Sequence, residues 1–252
     1  DAEARKQARG CQCEGGDPPQ PIAHDRRSAY SCGMDSDIAP DCVRCGKPAG
    51  FCVCDGITAL DCRRGLLILQ HPQEQDRLLG TARLAALHFR NAVLRVGLSW
   101  PSLAAALGRK AEPQRWAALY LGSARAAALA PGRAVVALDR QGRALPDQEA
   151  ALAGIEGVIL LDGSWSQAKS LWWRNPWLLK CRRLILAPSR PSRYGKLRRE
   201  PRRDALSTLE AAGLVLSRLE KRPEIATALE ASLERLLERQ RVTPPEPAAT
   251  PR

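Results

Sequence analysis

Between residues 63 and 241, short apolar runs alternate with stretches in which apolar residues return every three or four positions. Leu66-Leu67-Ile68-Leu69-Gln70 is apolar at both alternating sets of positions, which predicts a strand buried on both faces. Leu78, Ala82, Ala85 and Phe89 then follow at i, i+4, i+7 and i+11, the stripe of an amphipathic helix. Further strands are predicted over 93–96, 117–121, 134–138, 158–161 and 184–187, and helices over 166–173, 208–220 and 224–239. Doubly buried strands bounded by helices imply an α/β domain with a mainly parallel sheet flanked by helices. Ligands in such domains sit beyond the carboxyl ends of the strands. The loops after Leu69, Leu121, Leu161 and Ala187 are therefore where chemistry is expected.

The flanks lack this pattern. Residues 1–38 mix Gly, Pro, Asp and Arg without periodicity and read as a mostly disordered lead-in. Residues 39–62 hold a cysteine cluster, 63–241 form the main domain, and the Pro-rich 242–252 form a disordered tail. Cys42, Cys45, Cys52 and Cys54 are spaced C-x2-C-x6-C-x-C. Cysteines two residues apart across a tight turn aim both sulfurs at one point, and a second pair completes a tetrahedral thiolate site for zinc. Four thiolates leave no open position, so the metal would be structural. Separate buried thiols are the competing reading, and Cys62 is near enough to serve as an alternative ligand. Cys11, Cys13, Cys32 and Cys181 lack metal-binding spacing. No apolar run reaches membrane-spanning length and the first residues have no signal-peptide layout, so a soluble, cytoplasmic chain is expected.

The strand ending at Leu161 runs directly into Asp162-Gly163-Ser164-Trp165-Ser166-Gln167. Ser164 and Gln167 fit a capping box, S-x-x-Q, and Ser207 and Glu210 fit another, S-x-x-E. Asp162 stands before its cap and is not needed for it. Trp165 opens a helix, either on the ligand side or packed in the core. His71, before Pro72, has a catalytic and a local structural reading. The net charge is +12, and position says more than the total. From Lys180 to Arg203 ten Lys and Arg face the single acid Glu200, with three prolines opposing regular helix. This reads as a basic loop for a polyanion, against the alternative of a merely solvated loop. Arg77, Arg83 and Arg90 extend that surface, and Tyr194 within the loop is expected to stack on a base. Trp172, Trp173 and Trp177 are expected to pack in the core or in an interface.

Asp162-Gly163-Ser164-Trp165 resembles the D-G-T-W signature of the DTW-domain family, with serine for threonine. The resemblance extends, in the family's order, to Leu69-Gln70-His71-Pro72-Gln73-Glu74, Thr81-Ala82-Arg83-Leu84, Tyr120-Leu121-Gly122, Ser192-Arg193-Tyr194 and Leu206-Ser207-Thr208-Leu209-Glu210-Ala211. The cysteine cluster is typical of bacterial members, and the match covers about residues 42–220. It implies a transferase that moves the 3-amino-3-carboxypropyl group of S-adenosylmethionine onto N3 of a tRNA uridine, position 47 in bacterial members. 5′-Methylthioadenosine would be released.

A SPOUT-like, trefoil-knotted α/β domain is implied as well. On this reading Asp162 takes the N3 proton, or orients the cofactor and offsets its sulfonium, and Trp165 lies beside that sulfonium through a cation–π contact. Leu121, Gly122, Leu161, Gly163, Ser164, Ser207 and Thr208 would surround the cofactor. Arg83, Arg190, Arg193, Tyr194, Lys196, Arg198 and Arg199 would meet the tRNA. A SPOUT-class RNA methyltransferase and a non-catalytic zinc-ribbon RNA-binding protein remain as other readings, and the oligomeric state is not legible.

Overall fold

Six strands are laid side by side in the order β2-β1-β5-β3-β6-β4 in a computed structural model of the chain. It describes residues 41–119, 134–187, 192–194 and 206–242. The strands are β1 (Gly65–Gln70), β2 (Ala92–Val96), β3 (Trp116–Leu119), β4 (Val135–Leu138), β5 (Gly157–Asp162) and β6 (Arg182–Leu186). All neighbours pair in parallel except β4, which runs antiparallel to β6 at one edge. The expected mainly parallel α/β sheet is present. The reading of residues 1–38 as a lead-in falls outside the described residues, as do Cys11, Cys13 and Cys32 and the tail beyond Val242.

Alternation along the central strands divides the core into two layers. Leu66, Ile68, Val158, Leu160, Ala117 and Leu184 face α1 (Ala82–Leu87), α5 (Thr208–Glu220) and α6 (Pro223–Val242). Leu67, Leu69, Ile159, Trp116 and Ala118 face α2 (Leu103–Leu107), α4 (Trp165–Arg174) and the turn of Trp177 and Leu178. Truncating one such buried leucine or isoleucine to alanine costs about 2–5 kcal/mol. Gly157 shows why β5 begins as it does: a Cβ there would meet the Trp116 ring at 2.5 Å. The cysteine segment shares the first layer, where Phe51, Val53 and Ile57 join Leu233 and Leu236 of α6.

The helices differ from expectation in two respects. The stripe from Leu78 becomes helical only from Ala82, because residues 72–80 form a short 3-10 turn and further turns that begin at Pro72 and run to Gly80. Helices α2 and α3 (Gln148–Ala153) were not anticipated, being too short for a periodic signal. Their caps carry them: Ser102 Oγ accepts from Ala105 N, and Asp147 Oδ1 from Ala150 N. By contrast, α5 runs over the span expected for it. Among the described residues no helix is long and apolar enough to cross a membrane.

His88, just after α1, is buried with Nε2 3.0 Å from Ser232 Oγ of α6. Burial, then the charge of Arg235, lowers its pKa from 6.5 to about 4. The folded state therefore keeps a neutral imidazole where the unfolded chain takes up a proton. Stability is fully present above the unfolded value and falls as pH drops from 6.5 towards about 4. The loss is on the order of 3 kcal/mol. Denaturant unfolding of the wild type and of His88→Gln across this window checks it: the variant is expected to lose most of the slope, and equal slopes would assign it to other groups.

Candidate functional site

The carboxyl ends of β1 and β5 lie together because the strands are in register, with Gln70 opposite Asp162. Gln70 is 2% exposed and Asp162 8% exposed, so both polar ends are taken out of water. Gln70 Nε2 donates to Asp162 Oδ2 at 2.9 Å, and Thr208 Oγ1 donates to Asp162 Oδ1. The first residue of α5 is thus brought against the end of β5, 46 positions away. Among the described residues no cation pairs with this carboxylate. Both its donors are neutral, and about two of its four lone-pair positions remain for another group. Gln70 Oε1, buried beside it, has no partner among the described residues. Such an orphaned acceptor is uncommon in a folded protein and suits a ligand N–H.

Around this point the chain is fixed by caps. Ser164 N donates to Gln167 Oε1 at 2.6 Å and Gln167 N to Ser164 Oγ at 3.4 Å, completing the expected capping box of α4. Gln167 Nε2 also donates to Gln73 Oε1 at 3.0 Å, tying α4 to the turn after β1. A Cβ on Gly163 would come within 2.8 Å of Gln167 Cβ, so glycine is required by close approach. His71 takes its local structural reading, its Nδ1 accepting from Gln73 N at 3.3 Å. Trp165 lies at the first turn of α4, 39% exposed and outside the core. Ser207 and Glu210 form the second capping box. Leu209 N points to Thr81 Oγ1 at 3.4 Å and Glu210 N to Ser207 Oγ at 3.1 Å, so two amides at the start of α5 are already engaged.

The basic loop departs from expectation where it is described. Tyr194 is 2% exposed and its hydroxyl donates to the Leu79 carbonyl at 2.6 Å. A ring buried in the core cannot stack on a base, so that role for Tyr194 is withdrawn. The Arg193 guanidinium is held by Glu230 and Glu234 of α6, and Arg193 N donates to Glu210 Oε1 at 2.8 Å. Its charge is therefore spent within the fold. Arg83 lies over the cysteine turn, where a Cβ on Gly46 would meet its Nη1 at 2.7 Å. Arg190, Lys196, Arg198 and Arg199, and Leu121 and Gly122 on the cofactor side, lie outside the described residues. Gln70 and Thr81 received no role from sequence. The available signal was an amide closing an otherwise apolar doubly buried strand.

The four cysteines of the cluster converge. The sulfurs of Cys42, Cys45, Cys52 and Cys54 all lie within 4.8 Å of one another, and Cys42 and Cys54 are 3.9 Å apart. A tetrahedron with Zn–S bonds of about 2.3 Å has S···S edges of about 3.8 Å, so the set fits zinc. Gly46 adopts φ +65°, letting its N–H return to the Cys42 carbonyl at 2.7 Å. Hydrogen bonds from the Cys45 and Arg44 backbone lower the Cys42 thiol to about 6, whereas burial pushes Cys45 and Cys54 up. Ionising all four in a partly buried cluster is unfavourable without a compensating cation. Cys62 and Cys181 are buried outside the cluster, and burial raises both thiols.

A family model described as DTW domain matches residues 39–241. Three relatives, from Macaca fascicularis, Mus musculus and Drosophila melanogaster, are each named tRNA-uridine aminocarboxypropyltransferase 2. They are 29%, 29% and 31% identical over 75%, 82% and 75% of this chain. The matches take in 60%, 68% and 70% of those proteins' own lengths. No solved structure matches.

One zinc per chain is expected by elemental mass spectrometry. Cys45→Ser is expected to lose the metal and several kcal/mol, lowering Tm by roughly 5–10 °C. A variant that kept wild-type metal content and Tm would return the cysteines to the reading of separate thiols.

Proposed function

The chain belongs to the DTW-domain family, and we infer from that membership, with the Asp162 site, that it is a tRNA-uridine aminocarboxypropyltransferase. The observation that carries the assignment to a site is the Asp162 carboxylate, held by Gln70 and Thr208 at the mouth of the sheet with no fixed countercharge among the described residues. The fit to S-adenosylmethionine is chemical. A buried carboxylate beside the orphaned Gln70 Oε1 suits a group bearing positive charge and N–H donors, and the sulfonium and ammonium provide both.

When bound, S-adenosylmethionine supplies an electrophilic methylene; attack by uracil N3 forms the N–C bond as the C–S bond breaks, and 5′-methylthioadenosine leaves. Asp162 accepts the N3 proton, or orients the cofactor and offsets its sulfonium charge. Gln70 and Thr208 fix the carboxylate so that its remaining lone pairs face the reacting groups. Trp165 offers an indole face to the sulfonium. Leu161, Gly163, Ser164 and Ser207 line the cofactor side, with Leu121 and Gly122 from the loop after β3. Arg83, Arg190, Lys196, Arg198 and Arg199 contribute positive charge towards tRNA, whose target is uridine 47. We read residues 39–62 as a zinc module and 63–241 as the catalytic domain. The fold is read as SPOUT-like and trefoil-knotted, supported by the family resemblance and the five-strand parallel run. The cytoplasm is its compartment on this reading, since the described cysteines are all free.

Incubation with unmodified tRNA and S-adenosylmethionine, followed by nucleoside mass analysis, tests the activity. The expected products are aminocarboxypropyluridine and 5′-methylthioadenosine. Methyluridine with S-adenosylhomocysteine would instead make the chain a methyltransferase. Asp162→Asn is expected to lower kcat about 10²- to 10⁴-fold, and Thr208→Val by about tenfold, a loss typical of one charge-assisted hydrogen bond. Full activity in Asp162→Asn would move the chemistry elsewhere.

A further inference from the structure

The solvent face of α4 continues past Trp165 with side chains that the reaction does not use. Trp173 is 71% exposed, although Trp172 beside it and Trp177 after it are buried as expected. Trp165, Lys169 and Trp173 follow one another at i, i+4 and i+8, so a cation stands between two indoles on neighbouring turns. The helix begins at the site and carries Trp173 about 12 Å further along its axis. No Asp or Glu occurs from Gly163 to Arg199, and the only charged side chains on α4 are Lys169 and Arg174.

The end of this helix is rigid. Asn175 is fully buried, its Nδ2 donating to the carbonyls of Leu98 and Leu171 at 3.0 and 2.8 Å, and its Oδ1 accepting from Trp100 N at 2.8 Å. An indole on such a support loses little freedom when a planar partner covers it. The other layer of the molecule is different in charge. There Glu224, Glu230 and Glu234 of α6 meet Arg222 and Arg193, so part of the positive charge of that layer is already paired.

We propose that the solvent face of α4 is a docking surface for unpaired RNA, with Trp173 as the stacking platform and Lys169 as a phosphate contact. Aromatic faces interleaved with cations are the arrangement that holds unstacked bases without requiring a particular sequence. The stacking role expected of the buried Tyr194 thus falls to a residue on the opposite layer. This inference rests on the reading of the chain as a tRNA-modifying enzyme and names where part of the RNA sits.

The test is tRNA binding by the full chain at fixed salt, measured separately from transfer. Trp173→Ala is expected to raise both Kd and KM for tRNA about 5- to 100-fold. Its kcat, KM for S-adenosylmethionine and Tm should stay at wild-type values, and Trp173→Phe should recover most of the affinity. Lys169→Gln should reduce the salt slope of log Kd by about one. Unchanged tRNA affinity in Trp173→Ala overturns the proposal, as does a wild type that does not bind tRNA. A Trp173→Ala chain whose sedimentation changes while its tRNA affinity does not would overturn it too, assigning the face to a second copy. A wild type that binds tRNA but transfers nothing defeats the enzymatic reading alone, and the Trp173→Ala affinity still decides this one.

Discussion

The Asp162 carboxylate sits in a place from which water is largely excluded, and among the described residues its side-chain donors are the neutral Gln70 and Thr208. Much of the surrounding structure can be understood as holding those donors in place. The in-register pairing of β1 and β5 puts Gln70 beside it without any loop having to adapt. Thr208 arrives from far along the chain, so the start of α5 has to be located accurately. It is held by the Ser207–Glu210 box and by Leu209 N on Thr81 Oγ1. Glu210 does more than cap: its carboxylate also accepts from Ser192 Oγ and Arg193 N, drawing the turn at 192–194 onto the same helix end. A hydrogen bond to a charged acceptor contributes about 1.5–3 kcal/mol, enough to fix a rotamer but not to replace hydration entirely. The lone pairs that Gln70 and Thr208 leave unused are what another group would meet there.

The parts legible in sequence were those with a strong local cause. Strands β1 and β5 announce themselves because burial on both faces demands unbroken apolar runs, and α5 does because its capping box marks the first residue. The cysteine spacing was equally direct, since chelate geometry permits few alternatives. Other features depended on distant neighbours. Trp172 continues the stripe of Ala168 and Leu171 whereas Trp173 falls on the face of Lys169, a difference of one position that a run of two tryptophans conceals until α4 is set against the sheet. Tyr194 lay in a polar, basic stretch and looked solvated, yet Leu79 offered a carbonyl at the right depth. The antiparallel pairing of β4 with β6 joins segments far apart in the chain and leaves no periodic trace.

Charge follows the same lesson. The net +12 suggests a general attraction to polyanions, but several arginines are neutralised where they stand. Arg193 and Arg222 pair with carboxylates of α6, and Arg218 of α5 pairs with Glu149. These pairs cluster on the layer that carries α5 and α6. Exposed pairs of this kind add little stability, about 0–1 kcal/mol each, yet they remove long-range attraction from that side. Where charge is left uncompensated matters more to recognition than how much of it the chain contains.

The cysteine turn and the carboxylate are separate sites, but one short segment touches the supports of both. Lys47, buried beside the thiols, donates to the Leu78 carbonyl at 2.5 Å, and burial lowers its pKa to about 8. Tyr194 donates to the Leu79 carbonyl, and Thr81 accepts from Leu209 N, next to the residue that binds Asp162. Residues 78–81 have no regular secondary structure of their own, so these contacts are what fix them. Their positions are inherited from the cysteine turn on one side and passed to the start of α5 on the other. A four-cysteine cluster of the kind that would hold a structural zinc can thus bear on a site that it does not touch. It keeps one of the holds on the segment against which Thr208 is set.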